Sequence, residues 1–210
     1  ALYTGMTLGD LAAVMPGRPD GIVLPKCSGA ADVNHLALYL DAFEAAMPGA
    51  RRMPIRVTGP DGRPRDASWL LLPGAVGVVE LASTSGIEML GADLQPWDAD
   101  TMGFGQAIVA ALDHGVSRLL LGIGSSASTD AGTGLLCALG ARVVDAENRP
   151  VLPGARGLAD IARVVLTALR PLPPGGVMVL SDVTNPLSGP NGAAAVFGPQ
   201  KGFGRDEIDV

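Results

Sequence analysis

The chain has 210 residues, enough for one large domain or two small ones, and 48% of them are hydrophobic against 17% charged; that balance excludes a disordered chain. Fifteen basic and 21 acidic residues leave a formal charge of −6, so the basic face of a general nucleic-acid binder is lacking. No apolar run approaches the ~18 residues of a membrane span, and the opening Ala-Leu-Tyr-Thr-Gly-Met is no signal peptide, so a cytoplasmic protein is expected.

In chain order, residues 21–25 are a short apolar run stopped by proline, which predicts a buried strand. The spacing of Ala31, Val33, Leu36, Leu38, Leu40, Phe43 and Ala46 predicts a helix over 31–46, begun by Asp32 and closed by Pro48-Gly49. Residues 55–58 and 67–72 flank the turn Gly59-Pro60-Asp61-Gly62 and predict a β-hairpin, with a further strand at 76–81. Asp100 or Thr101 caps a helix running to about Asp113, and Gly115 precedes a strand over 118–123. A helix over 132–139 and strands over 141–145 and 177–182 follow. Strands alternating with helices predict an α/β architecture, a mainly parallel sheet with flanking helices. Cys27 and Cys137 lie far apart, and His35 and His114 have no cysteine beside them, so neither a disulfide framework nor a zinc site is expected. His114, at a helix end, and Cys137, on an apolar helix face, read as structural.

The segment between the predicted strand and the next helix is Gly122-Ile-Gly-Ser-Ser-Ala-Ser-Thr-Asp130-Ala-Gly-Thr-Gly134. Backbone N–H groups and the hydroxyls of Ser125, Ser126, Ser128 and Thr129 gather there ahead of a helix, where anions are favoured. Gly122, Gly124 and Gly132 let a ligand approach the backbone. The one carboxylate, Asp130, suits a Mg²⁺ ligand or a base taking a proton from an attacking hydroxyl. An ordinary helix cap is the competing reading of Asp130. Gly122-x-Gly124-x-x-Ala127, with Asp145 further on, also matches the dinucleotide fingerprint of an NAD-dependent oxidoreductase. There is no P-loop motif.

A second constellation runs from Ser181 to Gly202. Asp182 ends an apolar strand, where α/β enzymes place reactive residues. Asn185 and Asn191 offer neutral hydrogen bonds, Gly192 opens an alanine-rich segment, and Lys201 is one of two lysines. So long a turn-rich stretch inside a compact domain points to function.

At these two loops the sequence resembles the bacterial glycerate kinase family, over about residues 54–209. The resemblance rests on Val57-Thr-Gly-Pro-Asp-Gly-Arg-Pro64, Val79-Glu-Leu-Ala-Ser-Thr-Ser-Gly86, the glycine loop, Asp182-Val-Thr-Asn-Pro-Leu-Ser-Gly-Pro-Asn-Gly192 and Val196-Phe-Gly-Pro-Gln-Lys-Gly202. It implies two α/β domains with the site between them, and phosphoryl transfer from ATP, with Mg²⁺, to D-glycerate. Asp130 and Asp182 are then the candidate catalytic acids, with Asp130 also the candidate metal ligand. Gly122, Gly124, Ser125, Ser126, Ser128, Thr129, Gly132, Asn185, Asn191, Gly192 and Lys201 are the candidate substrate and nucleotide contacts. An Asp130→Asn change in a complete relative is expected to cost turnover and leave folding intact.

This sequence departs from that family in carrying Ser125 and Ala131 where its members usually have glycine. It also lacks the family's Asp-Ser-Phe-Lys-Gly-Ser, Ala-Asp-Gly-Gly-Glu-Gly-Thr and C-terminal Gly-Glu-Gly motifs, so a truncated kinase is expected. Residues 8–49, with Pro19-Asp-Gly-Ile-Val-Leu-Pro-Lys26, resemble instead one strand–helix unit of the citrate-lyase β-subunit/HpcH aldolase barrels. One such unit cannot close a barrel, so residues 1–53 are expected to be a graft and 54–210 the kinase-like domain. An inactive fragment serving as a binding module is the rival expectation, and it predicts exposed apolar surface.

Overall fold

The structure is a computed structural model; it describes residues 50–181 and 183–208, with Leu11, Ile22, Val33, Leu36 and Ala37 before them. The strand expected over 21–25, most of the helix expected over 31–46, and Asp182 lie outside the described residues. The chain divides into two compact units, Ala1–Arg51 and Arg52–Val210, and the second carries the architecture that follows. Among the described residues, no helix is long and apolar enough to cross a membrane.

Strands β1 (Arg51–Thr58), β2 (Pro64–Leu72) and β3 (Val76–Glu80) come first. The turn between β1 and β2 closes through the Gly59 N–H on the Arg63 carbonyl at 2.7 Å and an Arg65–Asp61 ion pair at 2.7 Å. Helices α1 (Ala82–Ser85) and α2 (Met102–His114) lead to β4 (Arg118–Gly122). Helix α3 (Thr133–Ala138), β5 (Arg142–Val144), β6 (Arg163–Val165), β7 (Val177–Leu180) and α4 (Ala193–Phe197) complete the order. The main sheet runs β1-β2-β3-β4-β7. Its β2–β3 pairing is antiparallel, while β3, β4 and β7 are parallel. The α/β expectation holds, with the sheet mixed because the hairpin strands supply one side of it. The expected strand over 141–145 is β5, which leaves the main sheet and pairs antiparallel with β6 instead.

Helix α2 exists because Phe104, Ala107, Ile108 and Ala111 repeat at helical spacing and bury one face, each 3% exposed or less. That face packs on Val57, Trp69, Val79, Leu119 and Leu121 of the sheet. Gly115 stops the helix in the left-handed region, φ 86°, its N–H returning to the Ala111 and Leu112 carbonyls. The His114 ring meets Trp69 edge-on at 5.5 Å, so this histidine is structural. Two glycines let the helix approach its neighbours at backbone distance. A Cβ on Gly103 would stand 2.2 Å from the Thr58 carbonyl oxygen, and one on Gly105 would stand 2.6 Å from the Ala138 Cβ.

Candidate active site

The glycine loop leaves the end of β4, a parallel strand, which is where open α/β sheets carry ligand sites. It is stitched to the α1 region by backbone bonds. The N–H of Leu81 donates to Gly122 (2.8 Å), Ile87 to Ser125 (2.9 Å), and Ala127 to Ser85 (3.1 Å). Its far end is fixed by Asp130, whose residue is 1% exposed. The Thr101 N–H and hydroxyl donate to Asp130 Oδ2 at 3.0 and 2.7 Å, and the Gly134 N–H joins them at 3.1 Å. The Gly132 N–H donates to Oδ1 at 3.0 Å. Thr101 Oγ1 in turn accepts the Leu135 N–H at 2.9 Å.

These bonds satisfy N–H groups that the start of α3 would otherwise leave orphaned. Of the roles the sequence left open for Asp130, the structure displays the cap: one buried carboxylate joins the starts of α2 and α3. Its four donors come from three residues, so Asp130→Asn is expected to cost folding stability here as well. An amide nitrogen would have to face an N–H donor. Helix α2 is capped by another distant residue, since Ser85 Oγ accepts the Phe104 N–H at 3.2 Å.

The outer rim of the loop is polar. Ile123, Gly124 and Ser125 are exposed, Gly122, Ser126, Thr129 and Gly132 half-buried. The Ser126 and Ser128 hydroxyls lie 3.1 Å apart, and Thr129 Oγ1 donates to the Pro96 carbonyl at 3.1 Å. Lys201 reaches this rim from 73 residues away, its ammonium donating to the Ser128 carbonyl. Burial pushes the Lys201 ammonium below its ordinary range, with the Asp130 carboxylate opposing that shift. The structure therefore brings Lys201 to the glycine loop. Asn185, Asn191 and Gly192 form a separate turn, in which Asn185 Nδ2 donates to the Asn191 carbonyl at 3.0 Å and the Gly192 N–H to Gly189 at 2.8 Å. Among the described residues, no hydrogen bond joins that turn to the loop. Nor does any group of three or more His, Cys, Asp or Glu among them suit a metal ion.

Ser125 and Ala131 stand at φ 57° and 52°, a region that costs a side chain roughly 1–2 kcal/mol. Glycine relieves that cost but gives back about 0.4–1 kcal/mol of unfolded-chain entropy. Ala131→Gly is therefore expected to stabilise the chain by roughly 0.5–1 kcal/mol, measured by urea unfolding; a loss of stability would refute it.

Asp100 sits beside this network, its Oδ1 accepting the Met102 N–H at 2.9 Å. Burial raises its carboxyl above the ordinary range, the Met102 bond opposing and the Asp130 charge adding. A raised folded-state value means that the charged form costs stability at neutral pH, and that this cost is relieved as pH falls towards about 4. Asp100→Asn keeps the acceptor and removes the charge. It is expected to raise Tm at pH 7, with the gain shrinking towards pH 4; a pH-independent gain would disprove the charge explanation.

The dinucleotide reading does not survive. Helix α3 starts at Thr133, well past Ala127, and Asp145 follows β5, outside the sheet that holds β4. The Asp145 carboxylate is taken by Arg149 at 2.8 Å. Cys137, expected in the core, is half-buried, and burial pushes its thiol up.

A mixed five-stranded sheet with flanking helices, and a braced, hydroxyl-rich loop at the end of a parallel strand, defines a protein of the α/β class. The model of the glycerate kinase family matches residues 39–210, and the chain belongs to that family. It is 42% identical over 157 residues to a glycerate kinase of Bacillus subtilis, covering 73% of this chain and 41% of the relative. To a glycerate 2-kinase of Escherichia coli it is 39% identical over 166 residues, 78% of this chain and 43% of that one. A solved structure from Salmonella typhimurium LT2, provisionally named glycerate kinase 2, superposes with a TM-score of 0.76 at 37% identity, over 80% of this chain and 46% of that one. The chain thus spans less than half the length of these relatives.

Proposed function

We propose that the glycine loop and Lys201 form the anion-binding part of a glycerate kinase site, in which ATP phosphorylates D-glycerate. One observation carries the reading: Lys201, from the second constellation, lies against Ser128 of the first. A half-buried ammonium at the backbone of this loop suits a phosphate or carboxylate. ATP with Mg²⁺, when bound, supplies the phosphoryl group. In this reading Gly124 and Ser125 present the exposed rim to it, flanked by the half-buried Gly122 and Ser126, and Ser128, Thr129 and Gly132 shape the loop beneath. Asp130 holds the loop in place through the four donors on its carboxylate. Asp182, Asn185, Asn191 and Gly192 belong to the same proposal as contacts for glycerate. The rival, a binding module without turnover, is favoured by the exposed apolar strand β7, whose Val179 is 54% exposed.

The test is ³¹P NMR of the chain with Mg²⁺, ATP and D-glycerate, together with ATP titration of the chain and of Lys201→Met. The kinase reading expects phosphoglycerate, and an ATP affinity reduced roughly tenfold or more by Lys201→Met, the worth of a charge-assisted hydrogen bond. ATP binding without product favours the module. Equal affinity in the variant removes Lys201 from the site.

A further inference from the structure

Lys201 lies in a stretch whose backbone bonds are local. The Lys201 N–H donates to the Gly198 carbonyl at 3.0 Å, Gly202 to Pro199 at 3.1 Å and Phe203 to Gly198 at 3.2 Å. Among the described residues, two hydrogen bonds tie residues 199–208 to distant parts of the chain. One is the Lys201 ammonium donating to the Ser128 carbonyl; the other is the Trp97 indole N–H donating to Glu207 Oε1 at 2.8 Å. Glu207 is oriented for that bond, because its Oε2 accepts the Gly204 N–H at 2.7 Å. Both bonds hold the Glu207 carboxyl below its ordinary range. The Phe203 ring also meets the Trp97 ring edge-on, centroids 5.0 Å apart.

Trp97 is itself fixed. Its segment turns through the Asp98 and Ala99 N–H groups on the Gln95 carbonyl, at 3.2 and 2.9 Å. The Trp97 carbonyl accepts the Arg156 N–H at 3.0 Å, and the Arg156 guanidinium forks onto Asp98 at 2.7 and 2.8 Å. The preceding Pro96 takes the hydroxyl of Thr129, in the glycine loop, on its carbonyl at 3.1 Å. Gly202 lies against the same segment, where a Cβ on it would stand 3.0 Å from Leu94 Cβ. Residues 94–98 therefore touch both the glycine loop and the stretch that carries Lys201. A flexible ammonium loses freedom and hydration when it is held half-buried, and the Ser128 carbonyl gives it one neutral acceptor. The backbone that carries it has to be held in place as well.

We propose that Trp97 is a positioning residue, whose indole N–H and ring pin residues 199–208 so that the Lys201 ammonium stays at the glycine loop. The inference rests on the reading of Lys201 and that loop as the anion-binding part of the site. Trp97 acts through Lys201, and its effect on an anion disappears when the ammonium does.

The chain has two lysines, so ¹³C labelling at lysine Cε gives two signals, and Lys201→Met identifies that of Lys201. In the wild-type chain this signal is expected to titrate below the ordinary lysine value, the direction in which burial moves it. Trp97→Ala is expected to raise it to that value with an unchanged circular dichroism spectrum. Trp97→Phe keeps a ring for Phe203 and loses the bond to Glu207; it is expected to fall between, and it carries the test should the alanine variant not fold. ATP titration supplies the second readout. Trp97→Ala is expected to weaken ATP binding about threefold to tenfold in the wild-type background and to change nothing further in the Lys201→Met background, since residues acting as one unit do not add. A folded Trp97 variant whose Lys201 titrates as in the wild type overturns the proposal. So does a loss of ATP affinity that is as large in the Lys201→Met background as in the wild type. If no protein of the set binds ATP, it is the kinase reading that fails, and the lysine titration still upholds or overturns the role of Trp97.

Discussion

Asp130→Ala is expected to cost about 3–5 kcal/mol of folding stability. Losing a helix cap accounts for about 1–2 kcal/mol of that. Leaving the buried Thr101 N–H and hydroxyl without an acceptor accounts for about 1–3 kcal/mol more. In a unit of this size such a loss lowers Tm by roughly 10 °C. Asp130→Asn should fall between the two. Its amide oxygen can serve the three donors at Oδ2, while its NH2 meets the Gly132 N–H that now donates to Oδ1. Thermal unfolding of the three proteins should therefore rank aspartate above asparagine above alanine. A loss below about 1 kcal/mol in the alanine variant would show that water replaces the carboxylate and that the brace is dispensable.

Gly103→Ala sets two effects against each other. Alanine is the better helix former by about 1 kcal/mol, so propensity alone predicts a gain. The added Cβ, however, would lie 2.2 Å from the Thr58 carbonyl oxygen and 2.7 Å from that of Thr84. Both are backbone atoms, and the first is tied in place. Gln106 Oε1 accepts the Thr58 N–H at 2.7 Å, and Gln106 Nε2 donates to the Thr58 hydroxyl at 3.1 Å. Overpacking of this kind costs about 3 kcal/mol, so steric conflict wins and the net change is a loss of roughly 2 kcal/mol or more. Denaturant midpoints decide it: a rise on Gly103→Ala would mean that α2 can lift away from β1.

The parts of this fold that were legible in the sequence are those written locally. The spacing of Phe104, Ala107, Ile108 and Ala111 predicts α2 and its buried face, Gly115 marks its end, and the turn at 59–62 marks the hairpin. The glycine loop is visible as a run of small and hydroxyl residues, and Ser125 and Ala131 stand out as departures whose physical sense is their left-handed backbone. What was not legible depends on residues far apart in the chain. Asp100 caps the first N–H of α2 as the local sequence suggests, but the Thr101 hydroxyl serves α3 and the Phe104 N–H of α2 is taken by the distant Ser85. Nothing near Lys201 signals Ser128 as its partner. The β5–β6 pairing escapes for the same reason, since the choice of sheet partner belongs to tertiary packing and not to three residues of apolar sequence.

The carboxylate shared between α2 and α3 also bears on how this protein can move. Two helices whose first turns end on one buried group cannot slide or rotate against each other without exposing it, so they and the glycine loop behave as a single anvil. The chain after residue 198 is pinned beside that anvil at several points: the Lys201 ammonium meets the Ser128 carbonyl, the Phe203 ring stands edge-on to Trp97 at 5.0 Å, and the Trp97 indole N–H donates to Glu207 at 2.8 Å.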